Sequence, residues 1–136
     1  MILKLAGLLA VLGSALAAPA WAHHSHVNYE TTETVTVSGI VTEVQWINPH
    51  TWFFLTVIDE DGQPQEWALE SGSPSQLVRR GWSPDSIKPG DTITAIAKPL
   101  RSGFHGGLLG TIILSDGTEL CDPFGGNLPL TAVCTD

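Results

Sequence analysis

The sequence predicts an all-β fold, a small five-stranded Greek-key barrel with one short helix, in the order β-β-β-α-β-β. Three observations predict it. Five apolar runs of strand length are separated by turn signals. The first and longest run changes its alternation phase near a glycine, as a strand does when a bulge bends it between two neighbours. One capped helix falls between the third and fourth runs. A small antiparallel sandwich is the alternative arrangement.

The chain has 136 residues, enough for one domain. Residues 1–22 read as a secretory signal: Lys4 is the only charge, Leu5 to Leu16 is apolar, and Ala20-Trp21-Ala22 is a small-x-small cleavage site. The apolar run is short for a bilayer span, so no membrane span is expected after signal removal. Cleavage after Ala22 makes His23 the first residue. Cleavage after Ala20 is the other option. Without the signal, five Lys and Arg face 14 Asp and Glu, a formal charge of −9. That charge argues against nucleic acid, whose phosphates need clustered Lys and Arg. The expected localisation is periplasmic or secreted.

Residues 23–33 form a His-rich leader without periodicity. The barrel is expected over residues 34–120. Its first strand, Thr34 to Trp46, puts Val35, Val37 and Val41 on one parity, then shifts to Val44 and Trp46 after Gly39, where the bulge is expected. Asn48-Pro49 is a turn signal that delivers His50 to the mouth of the second strand. That strand, Thr51 to Asp59, is apolar on both parities, as in a central strand. Asp59-Glu60-Asp61-Gly62 is a hairpin turn leading to a third strand, Gln65 to Glu70. The helix has Ser73 as N-cap, Pro74 in its first turn, Gln76 completing a capping box and Gly81 as its stop. The fourth strand is Thr92 to Ala97. A glycine-rich loop, Arg101 to Gly107, precedes a fifth strand, Leu108 to Leu114. This element order is that of the OB-fold.

The tail, residues 121–136, carries both cysteines, Cys121 and Cys134. In an exported chain two cysteines read as one disulfide closing a short loop. The spacing matches no standard zinc pattern.

Ala22-His23-His24-Ser25, Trp46-Ile47-Asn48-Pro49-His50, Arg79-Arg80-Gly81-Trp82 and Lys88-Pro89-Gly90-Asp91 together resemble a family of small exported bacterial proteins of unknown function. The resemblance spans Ala22 to about Leu120 and excludes the cysteine tail. It implies export and an OB-like fold and carries no activity.

The histidines carry the chemistry. Three of five, His23, His24 and His26, fall at the start of the mature chain. An N-terminal His offers its amine and a ring nitrogen to one metal ion, and a second imidazole completes a three-nitrogen set. This resembles the histidine brace of some exported copper proteins, and nitrogen-rich sites suit Cu(II). His50 lies between strands one and two and His105 between strands four and five, loops that flank one face of an OB barrel. His23 and His50 rank first as ligands, then His24 and His26, with His105 last. A difficulty is that the leader enters strand one at the end opposite His50. The bland reading makes His23 a polar chain start, His50 a turn residue and His105 a solvated loop tip. Glu66 and Glu70 read as a solvated strand face, and Arg79 and Arg80 as surface groups.

Nothing in the sequence demands turnover. The favoured expectation is metal binding or delivery, with copper as cofactor. The alternative is a periplasmic module binding a small ligand or a protein partner through the barrel face, with Trp46 and Trp52 as its candidates.

Overall fold

The computed structural model describes residues 26–122. The segment read as a signal, His23, His24 and Cys134 lie outside the described residues. Six strands form one sheet: β1 (Val35–Gln45), β2 (Trp52–Ile58), β3 (Pro64–Glu70), β4 (Thr92–Pro99), β5 (Gly106–Leu114) and β6 (Glu119–Cys121), with helix α1 (Pro74–Arg79) after β3. The strand order is β3-β2-β1-β4-β5-β6, and a parallel pairing of β3 with β5 closes the first five into a barrel. The fold is the OB-like all-β architecture that the element order predicts.

β1 serves two neighbours. Its first half, Val35 to Ile40, pairs with β4, and its second half, Ile40 to Gln45, pairs with β2. The bulge lies between Val41 and Glu43, a few residues later than the glycine suggested. Gly39 has a different task. A Cβ there would stand 2.5 Å from the Thr56 carbonyl oxygen, so only glycine lets β2 come this close. The bulge explains the change of phase: Val37 and Val41 point inward before it, and Val44 and Trp46 pack against the core after it.

In β2 the two apolar parities separate cleanly. Phe53 and Leu55 are buried in the barrel, while Trp52 and Phe54 stack on each other outside it, with centroids 6.4 Å apart. β3 contributes Leu69, β4 Ile93, Ala95 and Ala97, and β5 Leu109 and Ile112. α1 plugs one end with Leu77, and the chain after it adds Trp82 and Ile87. Trp82 packs at 5.9 Å on Phe53 and donates its indole N–H to the Cys121 carbonyl, 3.0 Å. Each fully buried Leu contributes about 1.5–3 kcal/mol through burial alone.

α1 has the predicted capping box: the Gln76 backbone N–H donates to Ser73 Oγ, and the Ser73 backbone N–H donates to Gln76 Oε1. Two features depart from the sequence reading. Gly106 and Gly107 belong to β5 rather than to a loop, and both are buried. A Cβ on Gly106 would meet the Ala68 carbonyl oxygen at 2.8 Å, and one on Gly107 the Lys98 carbonyl oxygen at 2.7 Å. They are the place where β5 wedges between β3 and β4 to shut the barrel. The second departure is β6, a short hairpin return after Asp116-Gly117 that pairs with Thr111 to Ile113.

Candidate functional site

His50 leaves a turn whose Asn48–Pro49 peptide bond is cis. The next residue, Thr51, is clamped by two backbone hydrogen bonds: its N–H donates to the Gly72 carbonyl and its carbonyl accepts from Ser71 N–H. Ser71 and Gly72 are themselves pinned. The buried Asp122 carboxylate accepts from Ser71 Oγ at 2.7 Å and from Gly72 N–H at 2.9 Å. Asp122 also donates its own N–H to the Gly110 carbonyl, 2.8 Å. The start of β2 and the end of β3 are thereby locked side by side, and Trp52 lies opposite Glu70 in register.

This places a carboxylate against the histidine. His50 Nδ1 is paired with Glu70 Oε1, and both side chains are largely buried. A carboxylate only accepts, so Nδ1 carries the hydrogen that faces Glu70. The other Glu70 oxygen, Oε2, accepts the hydroxyl hydrogen of Tyr29. Tyr29 belongs to the leader and is buried. Burial pushes its phenol well above the ordinary value of 10.0, and the hydrogen bond to Glu70 and that carboxylate's charge push it further.

The described end of the leader therefore reaches His50's partner through Tyr29, while His23 itself lies outside the described residues. The route from the start of β1 toward Glu70 runs around the barrel rather than along β1. Val35 pairs with Ala97, Pro99 with Gly107, Gly107 with Leu69, and Leu69 with Phe53. Before β1, Tyr29 bridges to Leu100, Glu30 N–H donates to the Pro99 carbonyl at 2.8 Å, and Arg101 N–H donates to the Asn28 carbonyl at 2.9 Å. The leader thus runs beyond the end of β4 onto the β5–β3 seam, where Glu70 projects. Arg101 adds an ion pair to Glu30.

His105 takes different surroundings. Its ring stacks on Trp67, centroids 5.3 Å apart and planes 10° apart. Asp59 lies near enough to feel its charge. That carboxyl is held below the usual range chiefly by the Gln65 amide, then by the Gln63 N–H, with the His105 charge a smaller influence. His50 and His105 thus contact β3 residues of opposite parity, Glu70 and Trp67. Trp46 packs against the core, and Trp52 stands outside beside the His50–Glu70 pair. His26 opens a single 3₁₀ turn ending at Asn28, immediately before Tyr29. Among the described residues no three His, Cys, Asp or Glu side chains form a ready-made metal cluster.

On another side of His50 lies an open groove of about 430 Å³. The Asn48-Pro49-His50 turn makes one wall, and Ser73, Ser75, Gln76 and Arg79 make the other. The sequence reading missed Glu70, Tyr29 and Arg79 as site residues. Their only signal was position: Glu70 ends a strand beside the Asn-Pro-His turn, and Tyr29 is the single tyrosine of the chain.

The sequence pattern of the Family of unknown function (DUF6152) matches residues 11–110, and the chain belongs to that family. No curated protein and no solved structure matches the chain.

Proposed function

We propose that this is an exported OB-like protein that binds a metal ion, copper above all, for binding or delivery rather than turnover. His50 is the anchoring ligand, through Nε2. His23, with its free α-amine after cleavage behind Ala22, is the second, and His24 and His26 are reserves. His105, stacked on Trp67, ranks last. The compartment is the periplasm or the exterior, where a Cys121–Cys134 disulfide would tie down the tail.

One observation carries this reading: the leader and His50 are held by a single carboxylate, Glu70. A histidine whose far nitrogen is backed by a carboxylate is oriented and made more basic for metal binding. From Tyr29 back to His23 the chain can span about 20 Å when extended, ample to bring the first residue over the ring. Cu(II) suits nitrogen donors and heads the divalent affinity order.

The test is Cu(II) titration of the processed protein, its N-terminus first sequenced. The expected result is one equivalent bound tightly and lost in both His23→Ala and His50→Ala. One residue added before His23 should weaken binding as strongly. Binding that survives His50→Ala would reduce the site to an N-terminal chelate and overturn the shared centre.

A further inference from the structure

The groove beside His50 has a charge character opposite to that of the chain. The sequence carries 14 acids against six Lys and Arg, yet among the described residues no carboxylate lines this groove. Its charged side chain is Arg79, which makes no ion pair among the described residues. Ser75 and Gln76 lie four and three positions before Arg79, so all three share one side of α1.

The capping box decides which end of Gln76 is offered. Its Oε1 is engaged twice, accepting from the Ser73 backbone N–H at 2.9 Å and from Ser73 Oγ at 3.1 Å. The amide end that remains is Nε2, a donor with two hydrogens. Arg79 adds a fork of N–H groups. Pro49 supplies an apolar wall. The groove therefore presents donors and positive charge, at a volume within the range of small-molecule sites, about 300–1,000 Å³.

We propose that this groove binds a small organic carboxylate. Arg79 takes the two oxygens in a bidentate pair, Gln76 Nε2 donates a further hydrogen bond, and the ligand body lies against Pro49. A planar guanidinium matches a carboxylate's two oxygens, and one such fork without a second fixed cation suits that group better than a phosphate dianion. The site needs no metal, and it shares with the copper reading only His50, one wall of the groove.

The experiment is calorimetric titration of the metal-free processed protein with acetate, succinate and benzoate, and in a separate arm with inorganic phosphate. At least one carboxylate should bind at millimolar concentration or below. Arg79→Gln should weaken it on the order of tenfold or more, and Arg79→Lys should fall between, having charge without the fork. Arg80→Gln should leave it unchanged, and circular dichroism of each variant should match the parent. No heat from any carboxylate, equal affinity in Arg79→Gln, or tighter binding of phosphate would each overturn the proposal. Loss of copper binding in His23→Ala with carboxylate binding intact separates the two sites.

Discussion

Tyr29 and His50, far apart in the sequence, hold opposite oxygens of the same Glu70 carboxylate. One acid thus fixes both the leader and the histidine at the mouth of β2. A phenol hydroxyl and an imidazole N–H each satisfy one oxygen, and among the described residues no Lys or Arg pairs with this partly buried carboxylate.

Glu70→Gln keeps the shape and removes the charge. An amide has one acceptor end, so it can hold the Tyr29 hydroxyl or the His50 N–H on oxygen, but not both. Copper affinity should fall about 10–100-fold, as for other carboxylates behind ligating histidines. Competition against a copper chelator of known strength measures this. An unchanged affinity would remove Glu70 from the site.

Tyr29 gives the fold a dependence on alkaline pH. Its phenol titrates above its ordinary 10.0 in the folded chain, first because it is buried, then because of Glu70. A group whose pKa is raised on folding contributes stability that is fully present below the unfolded value. That stability is lost as pH rises from there toward the folded value. Above about pH 10 the protein should lose about 1.4 kcal/mol per pH unit from this group. Tyr29→Phe should lack that slope. Because Tyr29 is the only tyrosine, its absorbance change reports the titration directly.

Gly106→Ala tests the barrel seam. The new methyl would meet the Ala68 carbonyl oxygen at 2.8 Å and Leu100 Cδ1 at 2.9 Å. Leu100 can turn aside, but the β3 backbone cannot. We expect a loss of about 1–3 kcal/mol in urea unfolding, together with a lower Tyr29 titration point, because Tyr29 pairs with Leu100. An unaltered titration would show that the leader holds its place without the seam.

Thr51 and Asp122 should respond in opposite directions. Thr51 is fully buried, and its Oγ1 has no hydrogen-bond partner among the described residues. Thr51→Val exchanges an unsatisfied hydroxyl for a methyl and should stabilise by about 1 kcal/mol. Asp122→Ala strands Ser71 Oγ and Gly72 N–H and should destabilise by about 2–3 kcal/mol. Thermal unfolding of the two variants side by side checks both signs.

Much of the architecture was legible because local chemistry set it. Ser73, Pro74 and Gln76 spelled out the helix start, and the change of phase in β1 announced a bulge. What escaped depended on long-range approach. Gly106 and Gly107 look like loop residues in sequence, since only the neighbouring Ala68 and Lys98 carbonyls show why a side chain is barred there. β6 is three residues long, too short for an alternating pattern to declare itself. His50 was visible from its turn. Glu70 was not, because an exposed acid on a strand and an acid gripped by a distant tyrosine read alike. The leader's path to Glu70 follows from barrel closure, which no local pattern encodes.

The parallel seam between β3 and β5 also sets an order of assembly. The β2–β3 hairpin can bring His50 beside Glu70 from nearby sequence. The β4–β5 hairpin is likewise local, but Tyr29 finds its place only across the β3–β5 seam, where Ala68 meets Gly106, a pairing of long sequence separation that closes late. A chain caught before that step carries half a centre. Completion of the Tyr29–Glu70–His50 centre therefore reports that the barrel has shut.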